Sequence, residues 1–168
     1  MAKSNNHRCR QLWASGIALW FALLTGIGSA TAAPLEQGRL SVAGDHVLEV
    51  EIARTAQERS RGLMERDRLA ADAGMLFLYE TDQPASSAYW MYRTRIPLDI
   101  AFVDDQGVIR SLKTMAPCRS TTPSECPAYP SGAAFRAALE TNAGYFDEHG
   151  IGVGDRIELA PWLESRQP

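Results

Sequence analysis

Two acidic side chains stand inside apolar runs of this chain, Asp99 in Leu98-Asp99-Ile100-Ala101-Phe102-Val103 and Glu140 in Ala138-Leu139-Glu140. A charge in such a place costs free energy unless it has a partner or a task. Asp99 follows Pro97 and, by strand alternation, faces away from Leu98 and Ile100. In that position it can hold an arginine, with Arg61 the candidate, at a pocket wall, or serve as a general acid or base. The structural alternative is a buried ion pair or a carboxylate fed by backbone N–H groups. Asp99 and Glu140 together would supply the paired carboxylates of a hydrolase acting on envelope carbohydrate, a mechanism set by their separation. A solvated strand face accounts for Glu140 at least as well.

Met64, Met75, Met91 and Met115, with Cys118 and Cys126, offer soft ligands of the kind that favour Cu(I), so a copper-handling protein is a further alternative. Against it, no histidine cluster or Cys-x-x-Cys spacing is present, and methionines spaced along strands more often fill cores. His46 and His149 read as surface residues. There is no serine-centred nucleophile motif, phosphate loop or dinucleotide fingerprint. No metal or cofactor is expected, and the balance leans away from an enzyme.

The N-terminal 32 residues have the form of a secretory signal. Lys3, Arg8 and Arg10 precede an apolar run from Leu12 to Gly28, and Ala30-Thr31-Ala32 offers small residues for cleavage, so the mature chain is expected to begin near Ala33 in the periplasm or outside the cell. No stable membrane anchor is then left. Three of the 17 basic residues and none of the 20 acidic ones lie in this segment, so the mature chain carries 14 against 20, a net charge of −6. That balance disfavours nucleic acid as a partner. Cys9 leaves with the signal, and Cys118 and Cys126 remain as an even pair in an oxidising compartment, which favours a disulfide.

The remaining 136 residues suit one domain, expected over residues 39–160 between a short flexible lead (33–38) and a C-terminal tail (161–168). Arg39 to Val42 and His46 to Ile52 read as a hairpin around Ala43-Gly44-Asp45. Thr55-Ala56-Gln57-Glu58 matches a capping box and predicts a short helix ended by Gly62. Gly74 to Tyr79 is an unbroken apolar run, as in a strand buried on both faces. Trp90-Met91 lies in another strand, and Leu98 to Val103 joins Val108 to Lys113 through Asp104-Asp105-Gln106-Gly107. Residues 116 to 132 carry four prolines and both cysteines and form a long loop. Residues 133–141 have helical propensity, and Asn142 with Gly144-Tyr145-Phe146 marks a short helix ended by Gly150. Residues 154–159 alternate as a closing strand. The result is a mainly β domain, a β-sandwich or partly closed barrel, with two short helices; parallel α/β is disfavoured because long amphipathic helices are missing.

Several blocks occur together in one order: Arg61-Gly62-Leu63-Met64, Gly74-Met75-Leu76-Phe77, Trp90 to Phe102, Met115-Ala116-Pro117-Cys118, Cys126-Pro127-Ala128-Tyr129 and Ala138 to Gly144. In this the chain resembles the domain of unknown function 192 family over about residues 40 to 160. The resemblance implies a small β-sandwich of jelly-roll character, decides for a strand over 133–141, and implies no reaction. The family commonly has lysine and asparagine after the Trp-Met pair, where this chain has Tyr92 and Arg93. The combined reading is an exported, non-catalytic module binding a small molecule or an envelope protein. Its ligand-binding residues are expected to be Arg61, Trp90, Thr94 and Asp99, with Tyr92, Tyr129 and Tyr145 as further aromatic wall.

Overall fold

The computed structural model describes residues 34–164; the expected signal segment lies outside them. The described chain runs β1 (Glu36–Val42), β2 (His46–Ala53), α1 (Ala56–Arg61), β3 (Ala73–Gln83), β4 (Ala88–Trp90), β5 (Leu98–Val103), β6 (Ile109–Met115), β7 (Ala128–Pro130), β8 (Phe135–Asn142), α2 (Tyr145–Glu148) and α3 (Ala160–Glu164), with a 3-10 turn at Pro123–Glu125. Six strands form one sheet in the order β1-β2-β3-β8-β5-β6, and β4 pairs with β7 in a small second sheet. The domain is mainly β, with no closed barrel.

Most of this follows from local sequence. Ala43 and Gly44, both at positive φ, turn the β1–β2 hairpin. Thr55 Oγ1 accepts from the Glu58 N–H while the Glu58 carboxylate accepts from the Thr55 N–H at 2.7 Å, so the capping box forms and Gly62 ends α1. The crossover carrying α1 joins β2 to β3 as a parallel pair inside an otherwise antiparallel sheet. This lone parallel pairing comes from one helical crossover of the type such strands require.

Both faces of the sheet are covered. One cluster includes Leu48, Val50, Leu76, Ala101, Leu139 and Phe146; the other includes Met75, Phe77, Leu98, Ile100, Phe102 and Ala138. Consecutive strand residues therefore enter different cores, as the period of two requires. β5 is buried at all six positions, which explains why every residue in it but Asp99 is apolar.

Four expectations need correction. The lead over 33–38 is not a flexible segment from Glu36 onward, because β1 extends back to pair Glu36 with Ile52, and Arg54 Nε bonds the Glu36 carboxylate at 2.8 Å. The tail holds a third helix, α3; its Trp162 ring lies where Gly38 leaves room, since a Cβ on Gly38 would sit 1.9 Å from that ring. Residues 154–159 do not form a strand. Their hydrogen bonds are divided between two edges: Ile157 pairs with Val42 and Arg156 with Val108, each as a single bridge. Met91 likewise lies just beyond β4, in a turn closed by the Thr94 N–H donating to the Met91 carbonyl.

The Cys118–Cys126 disulfide is formed, and by chain entropy so short a loop contributes roughly 2.5 kcal/mol. Gly74 marks the closest approach within the sheet: a Cβ there would stand 2.7 Å from the Glu140 carbonyl oxygen. Gly74→Ala is expected to cost about 2 kcal/mol in urea unfolding, because backbone on a central strand cannot move aside.

Candidate functional site

Strand register decides the fate of the two carboxylates. On β5, Asp99 pairs with Thr141 and Ile100 with Glu140. Glu140 also sits opposite Met75 of β3, so its side chain shares a face with Met75, Ile100 and Ala138. Asp99 shares the other face with Ala101 and Val103. The sheet thus separates Asp99 from Glu140, and the paired-carboxylate arrangement expected of a hydrolase is not assembled. The expected Arg61–Asp99 contact is absent for the same reason.

Asp99 is buried, with one hydrogen bond to each carboxylate oxygen, and it borders a separate open cavity with Thr114 and Phe146. Its Oδ1 accepts from Thr114 Oγ1 at 2.7 Å, and its Oδ2 from the Gly144 N–H at 2.8 Å, at the start of α2. It joins β5, β6 and the loop before α2 and has the geometry of a structural carboxylate.

Glu140 differs. It is 5% exposed, and among the described residues its carboxyl has no hydrogen-bond or ion-pair partner. Burial pushes its pKa up from 4.5 to about 8, so the group is largely un-ionised at neutral pH. It opens into a cavity of about 30 Å³ lined by Arg59, Arg61, Gly62, Met64, Phe77, Tyr89, Trp90 and Thr94 among others. That volume admits roughly two water-sized groups.

Each wall has a local cause. α1 ends at Gly62 (φ 46°) against the Phe77 ring, where even a Cβ would lie 3.4 Å from the ring edge. The Arg59 guanidinium lies 4.5 Å from the Tyr79 ring centre and donates to the carbonyls of Leu78 and Arg54. Tyr79 and Tyr89 share a hydroxyl–hydroxyl bond of 2.8 Å, and burial raises the pKa of both, Tyr89 the more. Thr94 is buried, and its carbonyl accepts from the Cys118 N–H at 3.0 Å, which ties the cavity to the disulfide. At the surface, Trp90 is 44% exposed with its ring 5.3 Å from that of Tyr92. Arg61 is exposed, and among the described residues no carboxylate engages it.

Arg61, Trp90 and Thr94 border one cavity, Glu140 stands in their company in place of Asp99, and Arg59 and Tyr89 join them. No chemical signature marked Tyr89, which reads as an ordinary strand aromatic. Of the proposed aromatic wall, Tyr92 reaches Trp90, whereas Tyr129 bonds the Ala116 N–H and Tyr145 stacks on His149 on the opposite face. Met75, Met91 and Met115 lie with Cys118 in one apolar core cluster, and both cysteines are oxidised, so they offer no thiolate to copper. Among the described residues no group of three or more His, Cys, Asp or Glu is placed to hold a metal.

The family model for DUF192, described as an uncharacterized ACR, matches residues 39–159. The chain belongs to the DUF192 family. Two solved structures resemble it. A protein of Sinorhizobium meliloti 1021, described as a proposed transcription regulator, is 32% identical, with a TM-score of 0.66 over 76% of this chain and 97% of the other. A protein of unknown function from Novosphingobium aromaticivorans DSM 12444 is 33% identical, with a TM-score of 0.63 over 76% and 93%. No curated protein matches. In this DUF192 domain the departures at Tyr92 and Arg93 lie outside the cavity wall. Arg93 occupies a left-handed turn (φ 55°) and pairs with Glu65; asparagine suits such a turn without reference to any ligand.

Two outcomes are expected. Asp99→Ala removes both of its bonds and should cost about 3 kcal/mol in urea unfolding, while the methyl NMR signals of Met64 and Thr94 stay in place. For Glu140, the unfolded chain releases its proton near pH 4.5 and the folded chain near pH 8, so wild-type stability falls as pH rises through that window. Glu140→Gln should remove this group's share of the slope, a difference of roughly 5 kcal/mol at most between pH 5 and pH 9. Identical slopes in the two proteins would mean that Glu140 ionises normally.

Proposed function

We propose that this protein is an exported, non-catalytic binding module whose recognition site is the cavity over Glu140, with Arg61 and Trp90 at its mouth. One observation carries the reading: a carboxyl group buried in the central strand has no partner and faces a cavity. Buried polar groups that serve only the fold are satisfied within it, as Asp99 is. A carboxyl whose oxygens meet no protein partner and open onto a cavity instead supports recognition of something that enters.

The cavity lining holds no histidine or cysteine to activate a nucleophile, and the second buried carboxylate lies across the sheet. These features favour binding over hydrolysis. Export is supported by the basic start, the apolar run and the small-residue site of residues 1–32, and the disulfide suits an oxidising compartment. The acidic balance of the chain gives no support to DNA binding of the sort the S. meliloti neighbour's description suggests.

Native mass spectrometry of the protein recovered from the envelope of the producing cell, set beside its denatured mass, tests this. The expected result is a chain beginning near Ala33 with excess native mass, and loss of that excess in Thr94→Ile, whose larger apolar side chain takes up the small cavity. A bare chain in both proteins would overturn the small-ligand reading, and a chain retaining residues 1–32 would overturn export by cleavage.

A further inference from the structure

The chemistry of the cavity narrows its ligand, provided that the cavity is the recognition site. We propose that it takes a carboxylate group, held by the Arg61 guanidinium at the mouth and by a hydrogen bond donated from Glu140. Room for roughly two water-sized groups in the cavity of about 30 Å³ suits the two oxygens of a carboxylate and is too small for a phosphate with its four.

The lining charges point the same way. Both arginines come from α1, and Glu140 is the only acidic side chain in the wall. Arg59 is committed to the Leu78 and Arg54 carbonyls and the Tyr79 ring, whereas Arg61 keeps its five donors for a visitor. The Thr94 hydroxyl is turned to the Tyr92 carbonyl at 3.4 Å, which leaves the un-ionised carboxyl and the Arg61 guanidinium as the donors, so the complementary group is one that accepts. An ammonium group would meet two cations and no anion. Outside the mouth, the Trp90–Tyr92 pair offers a broad apolar surface, which fits the carbon skeleton of an organic acid rather than an inorganic anion.

The groups facing Glu140 leave it alone to titrate near neutrality. β5 presents Leu98, Ile100 and Phe102, and β3 presents Met75, Phe77 and Tyr79. β4 adds Tyr89, and both tyrosines have pKa values raised above the ordinary 10. The two arginines of α1 stay charged throughout. A carboxylate bound here keeps Glu140 protonated, and ionisation of Glu140 at higher pH sets two anions against each other. Binding is therefore strongest below pH 8 and lost above it.

Carbon-13 methyl NMR of Met64 and Thr94 reads the site directly. The purified protein is titrated with sodium acetate, with an acetyl-Ala-Phe peptide bearing a free C-terminal carboxylate, with the same peptide as its C-terminal amide, and with methylammonium chloride. The expected result is that acetate and the free-acid peptide shift both methyls near pH 6, with affinity falling about tenfold or more near pH 9.5, while the amide and methylammonium shift neither. Peptide binding much tighter than acetate assigns the carboxylate to a chain terminus, and equal binding assigns it to a free small acid. Arg61→Gln should weaken binding about tenfold or more. Glu140→Gln should still bind and lose the pH dependence, because its amide donates at every pH. Shifts from methylammonium without shifts from acetate would overturn the carboxylate and leave the cavity as the recognition site. No shift from any probe would overturn both.

Discussion

The domain depends on a central strand with no wet side. β8 lies between β3 and β5, and both faces of these three strands are covered by apolar cores. Water therefore cannot satisfy a polar side chain here, as it does on the open face of an ordinary antiparallel sheet. Each polar residue on the buried stretches of these strands must find a partner in the protein or face a cavity. Thr141 and Asp99, directly opposite one another, lie on one face, and Asp99 meets Thr114 and Gly144 there. Glu140, one residue earlier on β8, goes to the other face and meets a cavity. A shift of one residue in the β5–β8 register would exchange these surroundings, so the same ladder that builds the core also decides which carboxylate is structural.

The walls above Glu140 come from segments that the sheet alone would not place. The parallel pairing of β2 with β3 requires a crossover, and that crossover lays α1 and its Gly62 terminus over Phe77. On the opposite side, the proline-rich loop has little regular structure, but the disulfide closes it and Cys118 packs into the core. From there its N–H holds the Thr94 carbonyl, in a turn that Arg93 enters at positive φ. Local devices thus set the rim, while long-range pairing sets the floor.

That division explains what could be read in advance. The β1–β2 hairpin, the capping box, the apolar run at 74–79, the β5–β6 hairpin and the disulfide are written in adjacent residues, and all were legible. The association of Arg61, Trp90 and Thr94 was also within reach. The placement of Asp99 was not, because β5 is apolar on both sides of it, and alternation gives only which residues share a face, never what covers that face. Partner strands separated by some 40 residues supply the missing term, and no local pattern encodes it. Residues 154–159 misled for a related reason: their alternation is real, with Ile157 and Leu159 buried, yet they touch two different edges and complete a ladder with neither.

Two arginines leave the last turn of α1, and their contrast bears on the nature of the site. Arg59 folds back to cap the Leu78 and Arg54 carbonyls over the Tyr79 ring, and so becomes part of the wall. Arg61 stands at the rim with no carboxylate engaged among the described residues. Had it paired with Glu140, each would have satisfied the other, the carboxyl would be ionised, and the cavity would be filled by its own side chains. A pair of that kind stabilises a fold only when its geometry offsets the desolvation of both charges, as in the half-buried, two-bond pair of Arg66 with Glu51. Keeping the cation at the mouth and the un-ionised acid at the floor leaves both sets of donors open. Folding alone gives no reason to hold them apart; the proposed occupant, by using both, would.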